Sequence, residues 1–177
     1  IEAALIGLNA APGLQREFAA ESWPNIPKQL WIDARQEAED LMCRHIKLQI
    51  RGTDINPKVM SIARYHAKLA GVNDFISFQQ QPLSELRTKK KYGCLICNPP
   101  YGERLDNTEE VELLYREMGQ VFQPLDTWSF YVLTSHPNFE RIFGKRADRR
   151  RKLYNGRIEC HYYQFYGPRP PKKKMNL

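Results

Sequence analysis

The chain has 177 residues, with 27 Lys or Arg against 20 Asp or Glu, and therefore a formal net charge of +7. This length predicts one domain with its own core, and a hydrophobic content of 42% is typical of globular rather than disordered or fibrous proteins. Because no apolar run approaches the ~18 residues of a membrane span, we expect no integral membrane segment.

The apolar spacing predicts helices and strands that alternate along the chain. The predicted helices cover residues 1–6, 27–43, 56–70 and 109–122, and the predicted strands cover residues 48–51 (ending in 52–54), 74–78, 92–97 and 128–133. Asn155-Gly156 then separates residues 152–154 from residues 158–165, which is the strongest hairpin signal in the chain. This order predicts an α/β fold with a doubly wound, mostly parallel, Rossmann-like sheet, to which the hairpin adds antiparallel strands at one edge.

The positive charge is concentrated near the C-terminus. Residues 141–177 hold 12 Lys or Arg and 2 Asp or Glu, a net of +10, whereas residues 1–140 hold 15 and 18, a net of −3. Such a cluster indicates a polyanionic partner, most commonly nucleic acid, and a solubilising tail is the alternative. The best candidates for contacting phosphates stand beside the hairpin: Arg149, Arg150, Arg151 and Lys152.

The cysteines and histidines predict neither a disulfide framework nor a metal site. Cys94 and Cys97 lie three residues apart on a predicted buried strand, so their thiols point to opposite faces, and no second pair of ligands follows. The four histidines have no ligand spacing, and we assign them structural or surface roles. Few, scattered and buried cysteines fit a reducing, cytoplasmic location.

The first candidate site is the segment Gly52–Pro57, which follows a predicted strand. The carboxylate of Asp54 can accept the two hydrogen bonds that the cis-diol of a ribose donates, and ligands of such sheets bind at the carboxyl ends of strands. The alternative is that Asp54 caps the helix that begins at Asn56-Pro57. The spacing alone favours neither role.

The second candidate site is Asn98-Pro99-Pro100-Tyr101, directly after the predicted strand that ends at Cys97. An exocyclic base amine carries two N–H donors, and the Asn98 side chain and the Pro99 carbonyl provide two fixed acceptors for them. These acceptors orient the nitrogen and favour the pyramidal geometry in which it attacks. The Tyr101 ring can stack on a base taken out of its helix. The alternative is an incidental turn after a strand.

Several stretches resemble the catalytic domain of class I S-adenosylmethionine-dependent methyltransferases that modify base amino groups. Within that group the chain resembles the bacterial THUMP-containing rRNA guanine-N2 methyltransferases, which are also described as N6-adenine-specific DNA methylases. The resemblance spans essentially the whole chain, and Asn98–Arg104 is its most specific part. The matching stretches are residues 1–5, 52–57, 98–105, 152–156 and 162–164.

The resemblance implies that S-adenosylmethionine is the cofactor and that RNA, specifically 23S rRNA with guanine N2 as the target, is the partner. It assigns cofactor contacts to Asp54, Ile55, Gln80, Gln81 and Asn98, and methyl transfer to Asn98, Pro99, Pro100 and Tyr101. No side chain is required as a strong base, because the nitrogen loses its proton readily once it is methylated.

Two departures from the family pattern are visible. The glycine-rich first motif and the ferredoxin-like and THUMP regions are not found before residue 1, so we expect residues 1–177 to be an N-terminally incomplete methyltransferase domain. The family often has an acidic residue near the cofactor adenine, where this chain has Phe78–Pro82, and the glutamine amides are the groups available to meet the adenine edge.

Two rival functions are also compatible with the sequence. One is N6-adenine methylation of DNA or RNA, because the Asn-Pro-Pro-Tyr motif recognises an amine rather than a particular ring. The other is a catalytically silent RNA-binding module that kept the fold, since fold alone does not determine function.

Overall fold

The computed structural model describes residues 1–101 and 108–172, which form two compact units divided after Pro82. Each unit has its own sheet and its own hydrophobic core. The last part of the predicted motif, Gly102–Leu105, lies outside the described residues. Within those residues no helix has the length and apolar character needed to cross a membrane.

The first unit contains three helices and a pair of parallel strands. Its helices are α1 (Glu2–Gly7), α2 (Lys28–Asp40) and α3 (Pro57–Leu69), and its strands are β1 (Ile50–Asp54) and β2 (Ile76–Gln80). Short 3₁₀ turns cover Ala19–Ser22 and Asn73–Phe75. The register places Ile50 opposite Ile76 and Asp54 opposite Gln80, so both strands end at the same edge.

The start and end of α3 follow from its local sequence. The Asn56 side chain accepts a hydrogen bond of 2.9 Å from the Lys58 N–H, and Pro57 occupies the first turn, where its missing N–H costs nothing. The helix ends before Gly71, whose φ of +67° is a left-handed conformation that glycine adopts without strain. This crossover helix therefore starts three residues after Asp54, at the carboxyl end of β1.

The second unit contains a four-stranded mixed sheet and two helices on one of its faces. The elements are β3 (Cys94–Cys97), α4 (Thr108–Phe122), β4 (Ser129–Thr134), α5 (Phe139–Phe143), β5 (Arg149–Asn155) and β6 (Ile158–Phe165), after a 3₁₀ turn at Leu83–Glu85. The strand order is β3-β4-β6-β5, with β3 parallel to β4 and β6 antiparallel to both neighbours. The strands β3, β4 and β5 consequently all end at the same edge.

The core of the second unit lies between the sheet and its helices. Alternate residues of β4, from Phe130 to Thr134, are buried, and the Phe122 ring of α4 stacks on Phe130 with centroids 4.8 Å apart. Helix α4 presents its buried residues at helical spacing: Val111, Tyr115, Met118 and Phe122. This packing fixes α4 against the strand ends that carry the second candidate site.

The predicted order of elements is confirmed, with several shifted boundaries. β2 begins at Ile76 rather than at Asp74, because Asn73–Phe75 form a 3₁₀ turn. β5 begins at Arg149, three residues before the predicted start, and the short helix α5 was not predicted. The hairpin is confirmed, but its turn residues are Gly156 and Arg157, because Asn155 still pairs with Ile158 at the end of β5. Within the sheet, β6 is an inner strand and β5 forms the edge.

The prediction that the cysteines are buried is wrong for Cys94. Cys160 is buried and Cys97 is half-buried, whereas Cys94 is exposed. The physical reason is that β3 is the end strand of the four-stranded sheet and Cys94 lies on its less covered face, as does Ile96.

Candidate active site

Asp54 stands at the end of β1 with one carboxylate oxygen available. Its Oδ1 accepts a hydrogen bond of 2.8 Å from the Asn56 N–H, and its Oδ2 has no hydrogen-bond partner among residues 1–101 and 108–172. The cap of α3 is Asn56, so the alternative that Asp54 caps this helix is wrong. The turn at Asn56 instead orients the Asp54 carboxylate and leaves an acceptor for another group.

The other predicted cofactor residues of the first unit gather around Asp54. The Gln80 side chain donates a hydrogen bond of 3.1 Å from Nε2 to the Ile55 carbonyl, and the Gln81 N–H donates one of 3.0 Å to the Asp54 carbonyl. The Ile55 side chain is 67% exposed. A carboxylate oxygen beside an exposed apolar side chain and a glutamine amide fits the ribose and base of a nucleoside.

The Asn98–Tyr101 loop follows β3 without an intervening residue. The Asn98 side chain is exposed and makes no hydrogen bond within the described part of the chain, and the Pro99 carbonyl likewise accepts none there. Two oxygen acceptors next to each other in the sequence are therefore available at the carboxyl end of the strand. This is the arrangement that holding an amine requires.

Tyr101 is not the open aromatic ring that the sequence predicts. Its side chain is 6% exposed, and its hydroxyl accepts a hydrogen bond of 2.9 Å from Asn155 Nδ2 at the end of β5. A base can stack on this ring only after the groups that cover it move away. In this conformation Tyr101 joins the loop to the hairpin.

A second anchor holds the loop at Pro100. The Tyr115 hydroxyl donates a hydrogen bond of 3.1 Å to the Pro100 carbonyl and shares one of 2.7 Å with Thr134 Oγ1. Since a hydroxyl has one proton, the Thr134 hydroxyl donates to Tyr115, and it also accepts from the His136 N–H at 3.1 Å. Burial is the main cause that raises the pKa of Tyr115, so this donor stays protonated.

The sequence interpretation did not identify Tyr115, Thr134 or Asn155. The one signal present for Tyr115 is a hydroxyl within the apolar stripe of α4, since a buried hydroxyl requires a partner. Thr134 is fully buried, at the end of a strand of aromatic and aliphatic residues. Neither position reveals by itself that its partner is the loop after β3.

The four basic residues lie on the exposed edge strand β5 and form two pairs. Successive side chains of a strand point to opposite faces, so Arg149 and Arg151 share one face and Arg150 and Lys152 the other. Arg150 lies 3.3 Å from Glu140, and Lys152 lies 2.7 Å from Glu159. Arg149 and Arg151 have no acidic partner in the described ranges, so their charges are available to a polyanion.

The cysteine thiols of β3 are weak acids in this environment. Burial raises the pKa of Cys97 to about 12 and also raises the pKa of Cys94. Among the described residues no group of three or more His, Cys, Asp or Glu side chains is arranged to hold a metal ion.

Comparison with known proteins places these features in a family. The family model described as RMKL-like, methyltransferase domain (UPF0020) matches residues 1–164. The chain is 47% identical over 98% of its length to the Bacillus subtilis protein named "Putative RNA methyltransferase YpsC", and 35% identical over 92% of its length to the "Ribosomal RNA large subunit methyltransferase K/L" of Legionella pneumophila. It covers 46% and 23% of those proteins, and so spans less than half the length of either.

Comparison with a solved structure supports the same assignment at the level of the fold. The structure described as "SMU.472, a putative methyltransferase complexed with SAH" superposes with a TM-score of 0.92 at 45% identity, over 96% of this chain and 45% of that one. The predicted α/β methyltransferase fold and the predicted family are thereby confirmed. The chain belongs to the RMKL-like methyltransferase-domain family.

Proposed function

We propose that this chain is the catalytic domain of an enzyme that methylates an exocyclic base amine of ribosomal RNA, with guanine N2 of 23S rRNA as the specific target. The family is one of methyltransferases, and the similar solved structure holds S-adenosylhomocysteine, which is what S-adenosylmethionine becomes when it gives up its methyl group. The cofactor is therefore S-adenosylmethionine. The Legionella relative, named for the large ribosomal subunit, supports ribosomal RNA as the substrate.

The observation that carries the proposal is the pair of available acceptors after β3. The Asn98 side-chain oxygen and the Pro99 carbonyl match the two N–H donors of an exocyclic amine. As the amine nitrogen forms its bond to the methyl carbon it acquires positive charge, and both oxygens then bind its hydrogens more strongly than in the ground state. The nitrogen afterwards releases one proton to solvent.

The cofactor, when bound, supplies an electrophilic methyl group on sulfur. The available Oδ2 of Asp54 accepts from the ribose diol, and the exposed Ile55 side chain provides an apolar contact for the adenine, with Gln80 and Gln81 at its edge. Tyr115 donates a hydrogen bond to the Pro100 carbonyl and thereby helps to orient the acceptors of Asn98 and Pro99. The role proposed for the Asn98–Tyr101 loop is therefore to orient the amine for attack on a methyl group.

The RNA is proposed to approach along β5. Arg149 and Arg151 provide two positive charges on one face of an exposed strand, without an acidic partner among the described residues, and the last residue of that strand contacts Tyr101. Phosphate contacts of this kind position a nucleic acid without specifying its sequence. The position of the target nucleotide is then determined by other parts of the interface.

Two substitutions in the full-length protein test the proposal. Asp54→Ala should weaken S-adenosylmethionine binding in calorimetry by about 1.5–3 kcal/mol, the range for a hydrogen bond to a charged group. Asn98→Ala should weaken that affinity less than Asp54→Ala does and should mainly lower the single-turnover methylation rate, because its acceptor matters most in the transition state. Asp74→Ala and Asn138→Ala, which change exposed side chains of the same types, are the matched controls.

The product and three negative results separate the proposal from its rivals. Mass spectrometry of the modified nucleosides distinguishes N2-methylguanosine from N6-methyladenosine. An Asp54→Ala variant with unchanged cofactor affinity would refute the ribose contact, and an Asn98→Ala variant with the wild-type rate would refute the amine contact. RNA binding without any methylation by the wild-type protein would leave only the silent binding module.

A further inference from the structure

We propose that Asn155 is a positioning residue for methyl transfer, which links the strand that binds RNA to the loop that receives the base. Its side-chain amide donates a 2.9 Å hydrogen bond to the Tyr101 hydroxyl, 54 residues away in the sequence. The same strand carries Arg149 and Arg151. The inference rests on the proposed function, because it assigns a role within that reaction.

The position of Asn155 is well determined by the hairpin. β5 and β6 pair over seven residues, from Arg149 opposite Gln164 to Asn155 opposite Ile158. The turn that follows contains Gly156 at a φ of +61°, a conformation that glycine adopts without strain. Asn155 therefore ends a strand that is paired along its whole length, and its amide reaches the loop from a fixed point.

Arg149 and Arg151, which have no acidic partner in the described part of the chain, lie on the same face of β5 as Asn155. Residues 149, 151, 153 and 155 alternate with residues 150, 152 and 154, so Arg149, Arg151 and Asn155 point in one direction. At a rise of about 3.4 Å per residue, Arg151 and Asn155 are roughly 14 Å apart along the strand. An RNA strand held by the two arginines is thereby directed toward Tyr101.

The two anchors of the loop differ in burial, and this gives them different roles. Tyr115 is fully buried, so its bond to Pro100 contributes to folding, whereas Asn155 is exposed at the end of an edge strand. The bond to Tyr101 is part-buried and its donor side is exposed, so water can take the place of the Asn155 amide at the Tyr101 hydroxyl at a small net cost. Its loss should therefore change the orientation of Tyr101 more than it changes the stability of the fold.

The test is a double-mutant cycle in the full-length protein, with Asn155→Ala, Tyr101→Phe and the combination. Each single change should lower kcat for methylation by about tenfold, and the double variant should be no slower than either single one, since both remove the same bond. The affinities for RNA and for S-adenosylmethionine should stay within about twofold of wild type. Asn138→Ala, an exposed asparagine without a side-chain hydrogen bond in the described residues, is the control.

A conservative substitution provides the rescue. Asn155→Asp keeps the length of the side chain and accepts a hydrogen bond from the Tyr101 O–H, so the contact re-forms with its direction reversed. We expect kcat to return to within about threefold of wild type. Thermal unfolding of all variants should show only small shifts.

The outcomes distinguish this inference from the proposed function. If the wild-type protein methylates no RNA, the proposed function fails. If the wild type is active and Asn155→Ala turns over at the same rate, the positioning role is overturned. A loss confined to RNA affinity would make Asn155 an RNA ligand instead, and a large fall in Tm without rescue by Asp would make it a structural residue; both results also overturn the inference.

Discussion

Removal of one buried hydroxyl should loosen the Asn98–Tyr101 loop, which we propose holds the target amine. In Tyr115→Phe the ring and its packing remain, but the Pro100 carbonyl loses its donor and the Thr134 hydroxyl loses its acceptor. Tyr115 and Thr134 are both fully buried, so water does not readily replace these bonds. The substitution therefore leaves two polar groups unsatisfied at the carboxyl ends of β3 and β4.

The expected cost follows from the number of bonds lost. A buried neutral group left without a partner lowers the free energy of unfolding by about 1–3 kcal/mol. The contribution of the Pro100 carbonyl should lie at the lower end of this range because Pro100 is partly exposed, so we expect a total of about 3 kcal/mol for the two groups. For a chain of this size that corresponds to a fall in Tm of about 6–12 °C. Single-turnover methylation should also slow, because the released Pro100 carbonyl no longer fixes the orientation of the Pro99 carbonyl that precedes it.

Thermal unfolding followed by circular dichroism measures the effect, with Tyr131→Phe as the matched control. Tyr131 is partly buried on β4 and stacks on Tyr162, but its hydroxyl has no hydrogen bond among the described residues, so the expected change is below about 0.5 kcal/mol. Adding Thr134→Val to Tyr115→Phe should restore part of the lost stability, because it removes the Thr134 hydroxyl that was left without a partner. The recovery is only partial, since the His136 N–H then lacks its acceptor. Equal stability of the two Tyr→Phe variants would refute the reasoning.

Two further predictions concern charge and thiol reactivity. The double variant Arg149→Gln/Arg151→Gln should reduce the slope of log RNA affinity against log salt concentration by about 1.4. The double variant Arg150→Gln/Lys152→Gln should reduce this slope less, because it removes charges that are already paired to acidic groups. Equal slopes for the two double variants would contradict the division of β5 into two pairs. Iodoacetamide at pH 8 should modify Cys94 before Cys97, because a pKa of about 12 leaves almost no thiolate at Cys97. Tandem mass spectrometry of the peptide that contains both cysteines measures the order of modification.

The elements predicted best are those with strong local signals. Asn56-Pro57 and Gly71 mark the two ends of α3 through a side-chain cap, a fixed φ and a left-handed residue, and the structure uses all three. Asn155-Gly156 likewise identifies the hairpin through its turn chemistry. Such signals depend on neighbouring residues only and need no knowledge of the tertiary fold.

The start of β5 and the helix α5 lack such signals. Arg149–Arg151 shows no alternation of apolar and polar residues, because both faces of this edge strand are exposed. Phe139–Phe143 is a five-residue helix, too short to display a helical period, and its Phe139, Ile142 and Phe143 are buried by packing on α4 and the sheet. In both places long-range contacts decide the structure.

The residues of the candidate site also differ in whether a local sequence signal identifies them. Asp54 and Asn98 are identifiable in the sequence because the roles proposed for them require a particular side chain directly after a strand, whatever surrounds it. Tyr115 and Asn155 bind partners 15 and 54 residues away, so these contacts become visible only when α4 and β5 are placed beside the loop. The groups proposed to contact ligands are thus carried by short motifs, while the groups proposed to position them are distributed over the fold. On this proposal, a variant that retains Asn98-Pro99-Pro100-Tyr101 but lacks the donors to Pro100 and Tyr101 should keep the acceptors for an amine and lose the contacts that hold them in position.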